Sequence, residues 1–153
     1  MKLLLAAIML FISSITYAQQ VNPATLTSQG QRVWNRVLEL NNQVFGSKDS
    51  TLIKPVVHRN LHYGHSSGKL ENMPQMVHNA AVNAATYRQL SHQLISMKVM
   101  KDVAVVRYIL KAISVENNVD SPLELGIIQV WTKDKAQWLL LERQAVKLTP
   151  TKR

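Results

Sequence analysis

The sequence predicts an α+β fold: a cone-like, curved antiparallel sheet with about three N-terminal-side helices packed on its concave face. Three observations predict it. The last run with helical apolar spacing ends near Ala81. Segments that read as β, some of them rich in β-branched and aromatic residues, fill the chain from Ala85 to Leu148. Helices come first and long strands afterwards, which favours helices gathered on one sheet face over alternating βαβ units.

The elements follow in order. Val33, Trp34, Val37, Leu38 and Leu40 recur at helical spacing, and Gly46 ends that helix. Lys48-Asp49-Ser50 can cap a second short helix from Thr51 to about Arg59, with Pro55 tolerated only near its start. Leu61 to His65 reads as a short strand, Ser66-Ser67-Gly68 as a turn, and Lys69-Leu70-Glu71 as the returning arm of a hairpin. Asn72 is a good N-cap for a third helix, with Pro74 early in it. Ala85 to about Met100 alternates irregularly, and Lys101-Asp102 makes a turn. Three long strands follow, Val103 to Val115, Leu123 to Thr132 and Gln137 to Leu148. Asn117 to Pro122 is a turn-rich connection, and Lys133 to Ala136 a tight turn.

The N-terminus carries a separate signal. Lys2 precedes the uncharged apolar run Leu3 to Ile12, and small and polar residues end in Thr16-Tyr17-Ala18. That is the pattern of a cleavable secretory signal over residues 1–18. The run is shorter than the roughly twenty residues a bilayer span needs. Residues 19–26 read as a flexible lead-in, 27–148 as one domain and 149–153 as a basic tail. Export to the periplasm or beyond is expected, with no membrane attachment after cleavage. The chain has no cysteine, so its stability must come from packing. The full chain carries a net charge of +9, with its basic residues scattered singly. That pattern reads as a solvated basic surface, and with export it argues against a nucleic-acid partner.

Three stretches resemble the nuclear transport factor 2-like superfamily, also called SnoaL-like or cystatin-like cones. Within it they are most similar to the branch called domain of unknown function 4440. Leu61-His62-Tyr63-Gly64-His65-Ser66-Ser67-Gly68 resembles its Leu-x-Tyr-x-His-Ser-x-Gly hairpin. Asp102-Val103-Ala104-Val105-Val106 resembles a strand start in which Lys101 replaces the usual Gly. Val130-Trp131-Thr132-Lys133 through Trp138, then Gln144, resembles its closing hairpin, with Ala136 or Lys135 where Gly is common. The resemblance implies a pocket between the helices and the concave sheet face. It does not select an activity, because this superfold hosts cyclases, isomerases, epoxide hydrolases, dehydratases and binding modules.

With Asp134-Lys135 as the closing turn, Trp131 is expected opposite Trp138. Alternation then puts Gln129, Trp131, Trp138, Leu140, Glu142 and Gln144 on one face, and Ile128, Val130, Leu139, Leu141, Arg143 and Ala145 on the other. Both faces are rich in apolar residues, so one is expected to face the cone and the other a second copy of the chain. The resemblance favours the Gln129–Trp131 face as the inner one. On the preceding strand, Ala104, Val106, Tyr108, Leu110 and Ala112 form the more apolar, inner set.

The resemblance also marks Tyr63 and His65 as a recurring pair. His65 is the candidate acid–base and Tyr63 the candidate hydrogen-bond donor to a bound carbonyl or anion. The competing reading is that His65 and Ser66 tie down the hairpin turn. The candidate ligand-binding set is Tyr63, His65, His92, Tyr108, Gln129, Trp131 and Gln144. His92 also fits a satisfied core or edge histidine. No metal is expected, because His58, His62 and His65 do not converge on one side of a single element. No nucleotide-binding or nucleophile-elbow motif is present, so no cofactor is expected. Glu142 is the acid expected on an inner strand face. The expected function is binding of a small, partly apolar molecule, with homodimerisation through the sheet. The alternative is a cofactor-free isomerase, cyclase or hydrolase using His65 and Tyr63.

Overall fold

The Thr27 side chain accepts a hydrogen bond from Gly30 N–H, which starts the first long helix, α1 (Ser28–Asn42). Val33, Trp34, Val37 and Leu40 form its buried stripe. In this computed structural model, which describes residues 20–148, a π-helical turn (Gln43–Ser47) continues from α1. The expected signal at 1–18 and tail at 149–153 lie outside the described residues. Residues 20–26 contain a 3-10 turn, Pro23–Thr25, and Val21 N–H donates to Leu94 O.

Asp49 caps α2 (Ser50–Ile53) as expected, but this helix is shorter than the sequence suggested. A 3-10 turn, Lys54–Val56, replaces its second half. Pro55 has no N–H to continue an α-helix, and the β-branched Val56-Val57 pair leads straight into a strand. Helix α3 (Met73–Val82) has the Asn72 cap foreseen in the sequence. Asn72 Oδ1 accepts from Gln75 N–H, and Gln75 Oε1 accepts from Asn72 N–H, a reciprocal capping box.

Among the described residues, six strands make one open sheet: β1 (Val57–Gly64), β2 (Leu70–Asn72), β3 (Thr86–Met100), β4 (Val103–Glu116), β5 (Val119–Asp134) and β6 (Gln137–Lys147). Their order is β2-β1-β6-β5-β4-β3. The sheet is mixed rather than wholly antiparallel, because β1 runs parallel to β6. The β3–β6 meander leaves one edge of β6 unpaired, and β1 covers it. Asn117 and Asn118 both adopt left-handed φ, 51° and 62°, as a two-residue type I′ turn requires. β5 therefore starts at Val119, inside the stretch expected to be a connection.

The closing turn sits one residue later than expected. Asp134 pairs with Gln137, and Trp131 faces Leu140 rather than Trp138. A bulge then shifts the register, so that Val130 faces Glu142 and Leu141 is the extra residue. Strand alternation reverses at that point. The inner face of β6 runs Trp138, Leu140, Arg143, Ala145, all buried. Glu142 and Gln144, expected inside, lie on the outer face. The inner face of β4 is as expected, with Ala104, Val106, Tyr108, Leu110 and Ala112 all buried.

Candidate functional site

A cavity of about 460 Å³ lies between the π turn, α3, the β1–β2 hairpin and the inner faces of β5 and β6. One wall is apolar: Val44 and Phe45 from the π turn, Met76 and Ala80 from α3, and Leu125 from β5. The opposite side is polar, built by the hairpin. Tyr63 pairs with Glu71 across β1 and β2, so the tyrosine and the carboxylate enter the cavity together. His65 follows two residues after Tyr63, with ring centroids 5.2 Å apart in an edge-on contact.

Glu71 is 2% exposed and is the hub of this side. Its Oε1 accepts from Lys69 Nζ at 2.6 Å and from Asn79 Nδ2 at 2.6 Å. His65 Nε2 stands 2.9 Å from Oε2, but without the alignment of a hydrogen bond. Burial alone would raise the Glu71 carboxyl. Lys69, His65 and Asn79 outweigh it and hold the group at about 2. Lys69 and His65 are partly exposed and stand at the mouth.

Arg143, the residue the bulge turns inward, lies deeper and is 5% exposed. Its Nη1 donates to Gly64 O at 2.7 Å, and its guanidinium carbon lies 4.3 Å from the centroid of the Tyr63 ring. Its Nε has no hydrogen-bond partner, and no carboxylate pairs with it among the described residues. Burial pushes the Tyr63 hydroxyl pKa up, against the opposing pull of Arg143, so Tyr63 is a neutral donor near neutral pH. Gly64 permits this close packing: a Cβ there would stand 2.8 Å from Arg143 O.

The fold superposes on those of solved structures. A nuclear transport factor 2-like protein from Cytophaga hutchinsonii superposes with a TM-score of 0.70 at 10% identity, over 80% of this chain and 100% of that one. The fold is nuclear transport factor 2-like. A ketosteroid isomerase-like protein from Erwinia carotovora atroseptica gives 0.70 at 9% identity, over 82% of this chain and 100% of that one. A cystatin-like-fold protein from Caulobacter vibrioides gives 0.61 at 7% identity, over 78% and 89%. No family model and no curated protein sequence matches the chain. At these identities the likeness carries the fold and not an activity.

Of the sequence-derived candidates, this nuclear transport factor 2-like cone brings Tyr63 and His65 to the cavity. Tyr108, Gln129 and Trp131 sit deeper and bond to one another. Gln129 Nε2 donates to Tyr108 Oη at 3.1 Å, and Trp131 Nε1 donates to Gln129 Oε1 at 3.0 Å. Asn41 of α1 completes the group, its Nδ2 3.0 Å from Tyr108 Oη. Burial pushes the Tyr108 pKa far up, so it stays a phenol. His92 faces Tyr108, with centroids 6.1 Å apart, and burial lowers its pKa; it does not line the cavity. Gln144 lies on the outer face, where Nε2 donates to His65 O at 3.0 Å and holds the hairpin from behind. Outside the cavity, His62 Nδ1 pairs with Glu142 Oε1 at 2.8 Å.

Glu71, Lys69, Asn79 and Arg143 were absent from the candidate set. For Glu71 a signal existed: counting back evenly from the Ser66-Ser67-Gly68 turn puts it opposite Tyr63. For Arg143 there was none, because its direction depends on the bulge.

Proposed function

We propose that this chain is an exported binding module that holds a small, partly apolar molecule in the cone cavity. One observation carries the reading. An apolar wall faces a polar side on which two ring or guanidinium nitrogens, His65 Nε2 and Arg143 Nε, have no aligned partner within the chain. Of the buried nitrogens without a partner, these two belong to residues that line the cavity, whereas His92 Nε2 and Trp138 Nε1 lie outside it. The test fills the room. Ala80→Trp, on the α3 wall, is expected to abolish stabilisation by any small molecule that raises the melting temperature of the wild-type protein. Undiminished stabilisation in that variant would place the ligand elsewhere and sink the reading. Export has its own check, since the protein recovered from outside the cytoplasm should begin near Gln19.

A catalytic reading has one specific observation behind it. His65 Nε2 lies 2.9 Å from a buried carboxylate, a pairing that can orient an imidazole for proton transfer. The solved ketosteroid isomerase-like neighbour is compatible with such chemistry in this fold. In that case His65→Gln should lose turnover while keeping ligand affinity. The outer sheet face supports a homodimer: Ile109, Ile128, Val130, Leu139 and Leu141 are only partly buried on it. A strict monomer at tens of micromolar would remove that part of the proposal.

A further inference from the structure

Among the described residues no carboxylate pairs with Arg143, a buried cation, and the cavity it lines is where a counter-ion fits. Guanidinium stays charged at any accessible pH, and a buried charge without an opposite partner is costly. The local charges do not cancel. Lys69 and Glu71 neutralise each other at 2.6 Å, leaving Arg143 as the excess. Its carbonyl contact to Gly64 and its stacking on Tyr63 fix its plane but supply no negative charge. Nε is buried without a partner, and Arg143 lines the cavity, so its guanidinium is the donor group an incoming acceptor would meet.

We infer that the ligand is a small organic monocarboxylate, with its carboxylate on Arg143 and its apolar body against Phe45, Met76 and Leu125. The inference rests on the binding role proposed above and adds the chemical class. One excess positive charge calls for one negative charge. A phosphate dianion would bring two, close to the ionised Glu71 that shares the cavity. A neutral ligand would leave Arg143 as uncompensated as it is now. The planar guanidinium suits a planar carboxylate, and the apolar wall suits a hydrocarbon chain or ring.

The test compares isosteres by calorimetry on the purified protein: benzoate and hexanoate against benzamide and hexanamide, with inorganic phosphate as a further anion. The carboxylates should bind about 30-fold more tightly than their amides, the scale of a charge-assisted hydrogen bond. In Arg143→Gln that preference should collapse, with amide affinity retained. The wild-type comparison stands alone should the variant not fold. Amides that bind as tightly as the acids would overturn the inference and leave the pocket reading intact. Phosphate binding as tightly as benzoate would overturn it as well. Should no acid or amide bind, the pocket reading fails and takes this inference with it.

Discussion

Two buried polar groups lie on the inner face of the same sheet, and they differ in one respect. Around Tyr108, the polar side-chain atoms of Asn41, Gln129 and Trp131 form a chain of hydrogen bonds through its hydroxyl, with His92 Nε2 beside them left unpartnered. Around Glu71, the chain supplies more donors than it uses, and about 460 Å³ of space lies beside them. A satisfied network specifies and rigidifies a core. Unspent buried donors next to a void cost stability unless something else bonds to them. Buried polar groups on one sheet face therefore do structural work in one place and offer a site in the other.

Breaking the closed network should cost the most. Gln129→Leu strips the Trp131 indole N–H of its acceptor and Tyr108 of a donor, and should destabilise the fold by about 2 kcal/mol in urea unfolding. Ligand affinity should barely change.

The open group should respond the other way. Arg143→Met removes a buried, unpaired charge, so unfolding free energy should stay within about 1 kcal/mol of wild type. Carboxylate binding should be lost. A large loss of stability here would mean that Arg143 is structural, like Gln129.

The third effect shows only in acid. The Glu71 carboxyl sits at about 2 in the fold against an ordinary 4.5. Its contribution to stability is whole above pH 4.5 and fades as pH falls toward 2, because the unfolded chain takes up the proton first. Wild-type stability should drop across that window more than that of Glu71→Gln, measured by denaturant midpoint at each pH.

Much of the fold was legible because it is written in local chemistry. The Asn72 and Asp49 caps and the inner face of β4 each follow from residues within one element. The nonlocal features were hidden. Nothing in Val57–Gly64 says that it will run parallel to β6, since the choice depends on which sheet edge is left open. The bulge at Leu141 leaves no mark either, because Leu139-Leu140-Leu141 is apolar on both faces and any phase of alternation looks acceptable. That one extra residue decides whether Arg143 or Glu142 enters the cone. Gln144 was therefore expected inside and Arg143 outside, while Tyr63 and His65, fixed by a short hairpin, came to the cavity.

The contrast between the two polar groups can be read in one titration. Benzoate added to the ¹⁵N-labelled protein should move the Arg143 Nε–Hε resonance, with the Trp131 indole and Gln129 amide resonances left in place. An Arg143 resonance that stays still at saturating benzoate, or Trp131 and Gln129 resonances that move as far, would contradict the account.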